Sequence, residues 1–407
     1  MRAADEEDDS VVHDGRPAPP RPPRRIPAGA PPLTQLQPPV RRGPPPERRP
    51  WLYGRFLAGV MVFLLVVAGG ATAGWFIRQD RTSIDADKVL TDAGSSVVRV
   101  LSTACAGNGE GTGVYVGDNL VLTAEIAVLE PLAVAVVTRD GVVRRANLLG
   151  TGPDGIAVLQ VVGRMTVPPL KLAADAPDPE AGRAILGYTA AGTLTSQTVG
   201  SVHRPRALSE VMNAAKLGGP VLAKSGEVVG MVTGDSLPAA KIIPVSTLRP
   251  FAVRGAQGLT SHSGGTCTES RGPQSTLTPA LQVSATPLAV QAQRTLTNYL
   301  TLQNRHDFVG VRKFYSARLN GALTAAKDRQ NHLTTYFFGA TITEVTQSEG
   351  AVNVRINYLT LFSSNADGAA GQNCARRDQR FRLIPAGKSL VVDSTAQVVA
   401  AVPCDNT

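Results

Sequence analysis

No C-x-x-C pair occurs in the 407 residues, and cysteine is scarce, with four in all. Zinc ribbons and thioredoxin-type redox centres need that spacing, so neither is expected, and no metal or cofactor is called for. Acids are nearly missing between Gly15 and Arg55, where nine arginines stand against Glu47 alone. That stretch carries nearly all of the formal net charge of +9, so the high isoelectric point says little about any folded part. A nucleic-acid surface needs basic residues on one folded face with aromatics between them. Here the arginines sit among prolines, and no nucleic-acid partner is expected. Fourteen of the 30 prolines fall within the first 50 residues, which removes backbone donors and blocks helix formation. Residues 1–55 therefore read as a disordered tail, acidic at first (Asp5, Glu6, Glu7, Asp8, Asp9, Asp14) and Pro/Arg-rich afterwards.

Charge is absent altogether from Phe56 to Ile77, a run of 22 residues. A helix needs roughly 20 apolar residues to cross the hydrocarbon core. Trp51 and Tyr53 before the run and Trp75 near its end suit the two interfacial belts. One transmembrane helix is thus expected at 56–77, followed by a short linker at 78–92. Arginines crowd its N-terminal side, so the positive-inside rule places the tail in the cytoplasm and residues 78–407 outside. A cleaved signal peptide is the competing reading, because Ala71-Thr72-Ala73 resembles a cleavage site; the long preceding tail argues against it. The abundance of Ala, Gly, Arg and Pro suggests a GC-rich bacterial source, hence a single pass through the bacterial inner membrane. Arg48, Arg49 and Arg55 would be drawn to an acidic leaflet. Arg42-Gly43-Pro44-Pro45-Pro46 suits polyproline II docking to a cytoplasmic partner, although a solubilising spacer is the plainer use.

All four cysteines, Cys105, Cys267, Cys374 and Cys404, follow the apolar run. An even number in an oxidising compartment favours disulfides, and four allow three pairings. Cys374 and Cys404 share the last domain and are expected to pair, which leaves Cys105 with Cys267.

From 93 to 253 the chain breaks into short β runs separated by glycines: Ser96–Leu101, Gly113–Val116, Leu120–Thr123, Leu132–Thr138, Val142–Leu149, Ile156–Val162, Ala184–Tyr188, Val221–Leu222 and Val228–Val232. Such regular spacing indicates an all-β barrel or sandwich. Residues 254–283 are rich in Gly, Ser, Thr and Pro and read as a linker. After Ser284 the pattern changes. Leu288, Ala292, Leu296, Tyr299, Leu300 and Leu302 fall roughly on one helical face, and further helical stretches follow at Phe308–Leu319 and Leu323–Gln330. Strand-like runs then take over at Thr334–Thr346, Ala351–Phe362, Asp378–Leu383 and Leu390–Val399. Helices followed by a meander indicate an α+β domain over 284–407. The succession resembles the nuclear transport factor 2-like cone.

Three segments of the β-rich part resemble the trypsin-like serine proteases, especially their bacterial high-temperature-requirement branch. They are Gly111-Thr112-Gly113-Val114-Tyr115-Val116 with Val121-Leu122-Thr123-Ala124; Asp154-Gly155-Ile156-Ala157-Val158-Leu159; and Gly218-Gly219-Pro220-Val221-Leu222 with Gly226-Glu227-Val228-Val229-Gly230. The resemblance implies a pair of six-stranded antiparallel barrels with the active site between them. The expected architecture is therefore multidomain, an all-β trypsin-like double barrel followed by an α+β cone, behind one transmembrane helix.

Trypsin-like chemistry needs a serine nucleophile, a histidine base and an aspartate that orients it. Counting along the matched motifs, the histidine position falls on Ile126, the aspartate position on Gly155 and the nucleophile position on Leu217. None of these can exchange a proton or attack a carbonyl in that role. Glu125 and Asp154 lie one residue away, but neighbours on a strand face opposite sides. The only histidine between Ala93 and Val253 is His203, which lies after the aspartate segment, where the family order has no base. Ser209 and Ser225 lie outside the elbow, and Lys216 has no serine with which to form a dyad. Ala215 stands where the family's oxyanion glycine stands, which puts the anion hole in doubt. The residues imply a serine protease homologue that is not an enzyme. Its cleft turn, Ala215, Lys216, Leu217, Gly218 and Gly219, would grip an extracytoplasmic peptide or protein by strand pairing. In the plainer reading Gly218-Gly219-Pro220 is a structural turn, and Glu125 and His203 are solvated surface residues. A ligand site in the C-terminal cone is the alternative, where His306, Asp307 and His332 are candidates by residue type alone.

Overall fold

The computed structural model describes residues 58–70, 83–175, 181–199, 208, 212–262 and 264–404. The chain falls into two units, Met1–Val67 and Ala68–Thr407, and each is taken by itself. The expected tail at 1–55 lies outside the described residues, as do 56–57 and 71–77 of the expected membrane span. Residues 58–70 are helical (α1), with the apolar side chains from Val60 to Val67 exposed. Among the described residues no helix is long and apolar enough to cross a membrane.

The second unit opens with α2 (Ala86–Ala93), capped by the Asp85 carboxylate, which accepts from the amides of Asp87 and Lys88. Six strands follow: β1 (Val97–Ala104), β2 (Glu110–Gly117), β3 (Leu120–Ala124), β4 (Pro131–Val137), β5 (Val143–Gly152) and β6 (Ile156–Val161). They close into an antiparallel barrel in the order β1-β2-β3-β6-β5-β4. Closure leaves the strands apolar on both faces. In β1 (Val-Val-Arg-Val-Leu), Val98 and Val100 join the cluster of Tyr115, Val121, Val136 and Leu159, while Val97 joins another with Leu120, Leu186 and Met231.

The latter cluster unites the barrel with a second, five-stranded sheet: β7 (Arg183–Tyr188), β8 (Leu194–Val199), β9 (Pro220–Leu222), β10 (Val228–Thr233) and β11 (Lys241–Pro244), in the order β11-β10-β9-β7-β8. The second expected barrel is thus a five-stranded sheet among the described residues. A short helix, α3 (Val245–Leu248), packs back on β10.

Residues 254–283 connect the two domains, but as a strap fixed at several points. Thr260 and Thr151 exchange backbone hydrogen bonds at 2.8 and 3.0 Å, and Arg271 and Ala104 do so at 2.6 and 2.8 Å. Cys267 is joined to Cys105, and the Ser275 hydroxyl donates to Glu110 at 2.5 Å. The strap ends in β12 (Ala280–Leu281), which runs parallel to the first long strand of the last domain.

That domain is α+β. Helix α4 (Pro287–Asn304) starts at Thr286, whose hydroxyl accepts from the Ala289 amide, and buries Ala292, Leu296 and Leu300 at four-residue intervals. The stretch Phe308–Leu319, expected as one helix, is a 3-10 turn (Val311–Phe314) and then α5 (Ala317–Ala322), because Ser316 breaks the run and caps the second piece. α6 (Ala325–His332) follows. The strands β13 (Tyr336–Ser348), β14 (Ala351–Leu361), β15 (Cys374–Ala386) and β16 (Ser389–Gln397) form an antiparallel meander, and β17 (Val402–Pro403) pairs with β15 beside the Cys374–Cys404 disulfide. The inner face packs on α4 through Ile342, Val354, Ile356, Phe381 and Val392. At one end of this sheet, Phe338, Leu361, Cys374 and Cys404 pack against Leu101, Ala133, Ala135 and Val143 of the barrel in one buried cluster.

Candidate functional site

β3 delivers the chain to a 3-10 turn, Glu125–Ala127, that carries Ile126. The Ile126 carbonyl accepts from the Asn108 amide at 2.9 Å, so the β1–β2 loop backs the turn. β5 ends at a second tight turn, Pro153–Gly155, in which Asp154 (φ 61) and Gly155 (φ 74) are both left-handed. Ala124 pairs with Ile156, which sets Gly155 beside the Ile126 turn. The Asp154 carboxylate points elsewhere, to the Lys241 ammonium at 2.6 Å, in a pair that solvent screens.

The third position is built by a chain of short-range bonds. The Asn213 side chain accepts from the Lys216 amide and caps the 3-10 turn Ala214–Lys216. The Leu217 amide then donates to the Ala214 carbonyl at 3.2 Å, Gly218 to Val232 at 2.7 Å and Gly219 to Lys216 at 2.9 Å. On the barrel side the Thr112 amide donates to the Leu217 carbonyl at 2.8 Å, and the Thr112 hydroxyl to the Ala215 carbonyl at 2.5 Å. Gly218 is required here. Its φ is +87°, and a Cβ would lie 2.0 Å from the Thr112 oxygen. A Cβ at Gly219 would meet the Leu186 oxygen at 2.4 Å.

Ile126, Gly155 and Leu217 are thus brought to one place, and it is packed. Leu217 is 1 % exposed and shares an apolar cluster with Ala124, Val229 and Val232, on which Ile126 also rests. Thr233, at the end of β10, faces Gly155: a Cβ on Gly155 would come 3.9 Å from the threonine Cβ. Its hydroxyl is buried without a hydrogen-bond partner among the described residues. Ala215, Lys216, Gly218 and Gly219 are buried as well. The Lys216 ammonium donates to Gln197 at 2.9 Å, and burial holds its pKa below the ordinary lysine value. Glu125 and Ile126 are half-buried. Ser225 lies on the β9–β10 turn and donates to Glu227; His203 and Ser209 lie outside the described residues.

A model of the trypsin-like peptidase domain matches residues 111–231. That segment has a trypsin-like fold. Among solved structures, the Rv3671c protease from M. tuberculosis in its active form shares 24% identity over 44% of this chain and 88% of that one, with a TM-score of 0.36. Its inactive form shares 22% identity over 40% and 93%, with a TM-score of 0.33. The serine endoprotease from Yersinia pestis shares 20% identity over 40% and 64%, with a TM-score of 0.33. No curated protein matches the sequence. In the trypsin-like domain the three motifs hold up the turns described above.

The cone candidates divide. Asp307 closes a turn by accepting from the Gly310 amide at 2.8 Å. His332 Nδ1 lies 3.1 Å from the buried carboxylate of Asp328, which also accepts from Tyr315 and Gln303. Sequence reading did not single out Tyr315, Gln303 or Asp328. The one available signal was an aspartate four residues before a histidine on a polar helix, and that spacing usually marks a solvated ion pair.

Proposed function

We propose that this chain is a membrane-anchored, extracytoplasmic pseudoprotease, whose trypsin-like domain serves as a peptide- or protein-binding scaffold and does not cleave its ligand. The observation that carries this is Leu217. At the nucleophile position stands a buried leucine, and its amide, which an oxyanion would need, donates to Ala214 instead. Gly155 adds to it: glycine offers no carboxylate to orient a base, and the hydroxyl of Thr233 opposite is left without a partner among the described residues. With Ile126 packed on the same cluster as Leu217, apolar side chains fill two of the three positions, where an unpaired polar group would be costly. Because the Ala215–Gly219 turn is floor, a bound segment would pair with strand edges around it rather than rest on Leu217. In the same reading the run Phe56–Ile77 is the anchor, and the C-terminal domain is a nuclear transport factor 2-like cone that the trypsin-like domain carries.

The test is covalent. A fluorophosphonate probe that labels an active trypsin-like enzyme should leave the full chain unlabelled under the same conditions. Stoichiometric labelling, mapped to any residue of 93–253, would overturn the proposal.

A further inference from the structure

Behind the Ile126 turn, the loop from Cys105 to Asn108 faces the strap and the last domain across a cavity of about 650 Å³. That size suits a small molecule. Two arginines from different elements line it, Arg271 of the strap and Arg305 at the C-terminal end of α4. Both are exposed, and neither guanidinium has a carboxylate or side-chain hydrogen-bond partner among the described residues. The single acid of the wall, Glu269, is already engaged: it pairs with Arg329, and its other oxygen lies 3.5 Å from His306 Nδ1. The wall therefore has positive charge left over.

His306 lines the same wall. It is a non-glycine residue with φ of +53°, a conformation that costs energy and is kept where function or packing over-determines it. Its ring is stacked between Phe308 and Tyr336, at centroid distances of 5.3 and 4.8 Å, and its side chain is only 9 % exposed. Nε2 of this ring and Oδ1 of Asn108 are buried behind the wall without hydrogen-bond partners among the described residues. Burial also holds the His306 pKa below the ordinary imidazole value, against the raising effects of the Thr335 backbone and Glu269.

We propose that this cavity binds a small organic dicarboxylate, with the guanidinium forks of Arg271 and Arg305 taking its two carboxylates. Each guanidinium offers a fork that matches one planar carboxylate, so an anion with two such groups can use both. The Asn108 amide donates to the Ile126 carbonyl, so an occupant would restrain the loop that backs the emptied base position. The inference does not depend on whether the trypsin-like domain cleaves peptides.

Calorimetric titration of the full chain with succinate tests it. Saturable binding is expected, weakened about tenfold or more in Arg271→Gln and in Arg305→Gln, each of which removes one charge-assisted contact. Succinamide, which keeps the shape and loses the charge, should bind at least about tenfold more weakly to the unaltered chain, so the test does not hang on either variant folding. The proposal fails if succinate gives no saturable binding, if succinamide or inorganic phosphate binds as tightly, or if both variants keep the original affinity.

Discussion

At the scale of single residues, the Gly218-Gly219 pair shows how close packing demands glycine at a turn. Gly218 holds a left-handed backbone against the Thr112 carbonyl, and that contact is independent of any nucleophile. Replacing it with alanine would force the β2 strand aside as well as straining the backbone. Gly218→Ala is expected to lower the unfolding free energy by roughly 3 kcal/mol, read from a urea titration. An unchanged midpoint would show that the turn has room to move. Leu217 behaves as a core residue for the same reason. Leu217→Ser, which restores the family's residue, should cost about 3 kcal/mol and yield no probe labelling, since it leaves a cavity and buries a hydroxyl. Reading residue types against a motif was enough to locate Ile126, Gly155 and Leu217. It could not reveal that Thr233 faces Gly155, because that contact joins β10 to a turn nearly eighty positions earlier in the chain.

At the scale of elements, α6 is held by its polar side. The helix is hydrophilic throughout, yet Asp328 is 1 % exposed and accepts from Tyr315, Gln303 and His332. Burial presses the Asp328 pKa upward, but the hydrogen bonds from His332, Tyr315 and Gln303 outweigh it and hold the value below the ordinary 3.8. The folded state therefore favours the ionised carboxylate. Its contribution is fully present above the ordinary aspartate range and is lost as the pH falls through the depressed value. Asp328→Asn should cost about 3 kcal/mol at neutral pH and flatten the acid limb of the stability curve, measured by denaturant unfolding from pH 7 down to pH 3. A parallel downward shift at every pH would mean the carboxylate contributes no linkage. Period-two and period-3.6 patterns fixed most elements of this domain and of the barrel in advance. The strands that escaped were the two-residue β12 and β17, together with β8 (Leu-Thr-Ser-Gln-Thr-Val) and β11 (Lys-Ile-Ile-Pro), edge strands whose exposed faces carry no clear alternation.

For the whole molecule, the connection between domains matters most. Composition made 254–283 read as a linker, and the segment is pinned by Cys267, Arg271 and Ser275, while the two domains share a buried cluster around Leu101 and Phe338. The barrel and the last domain should then melt together in one calorimetric transition. Two well-separated transitions would contradict the shared cluster. The Cys105–Cys267 bridge closes 162 positions of chain. By chain entropy alone, a Cys105→Ser/Cys267→Ser variant should lose roughly 4–5 kcal/mol, seen as a lower melting temperature.

What the sequence determined by itself was local: strand and helix periods, the residue types at Ile126, Gly155 and Leu217, none of which carries a proton-transferring side chain, and a disulfide pairing inferred from which cysteines share a domain. Each follows from short-range geometry or from residue chemistry that no fold can supply. What only the tertiary structure decided was whether groups distant in the chain meet. It packed Ile126 and Leu217 on one apolar floor, turned the Leu217 amide to Ala214 and laid the strap along the barrel. It also left Arg271 and Arg305 on one cavity wall. Burial and hydrogen-bond partnership depend on the closing of the barrel and the docking of the last domain, and the linear order of residues does not record them.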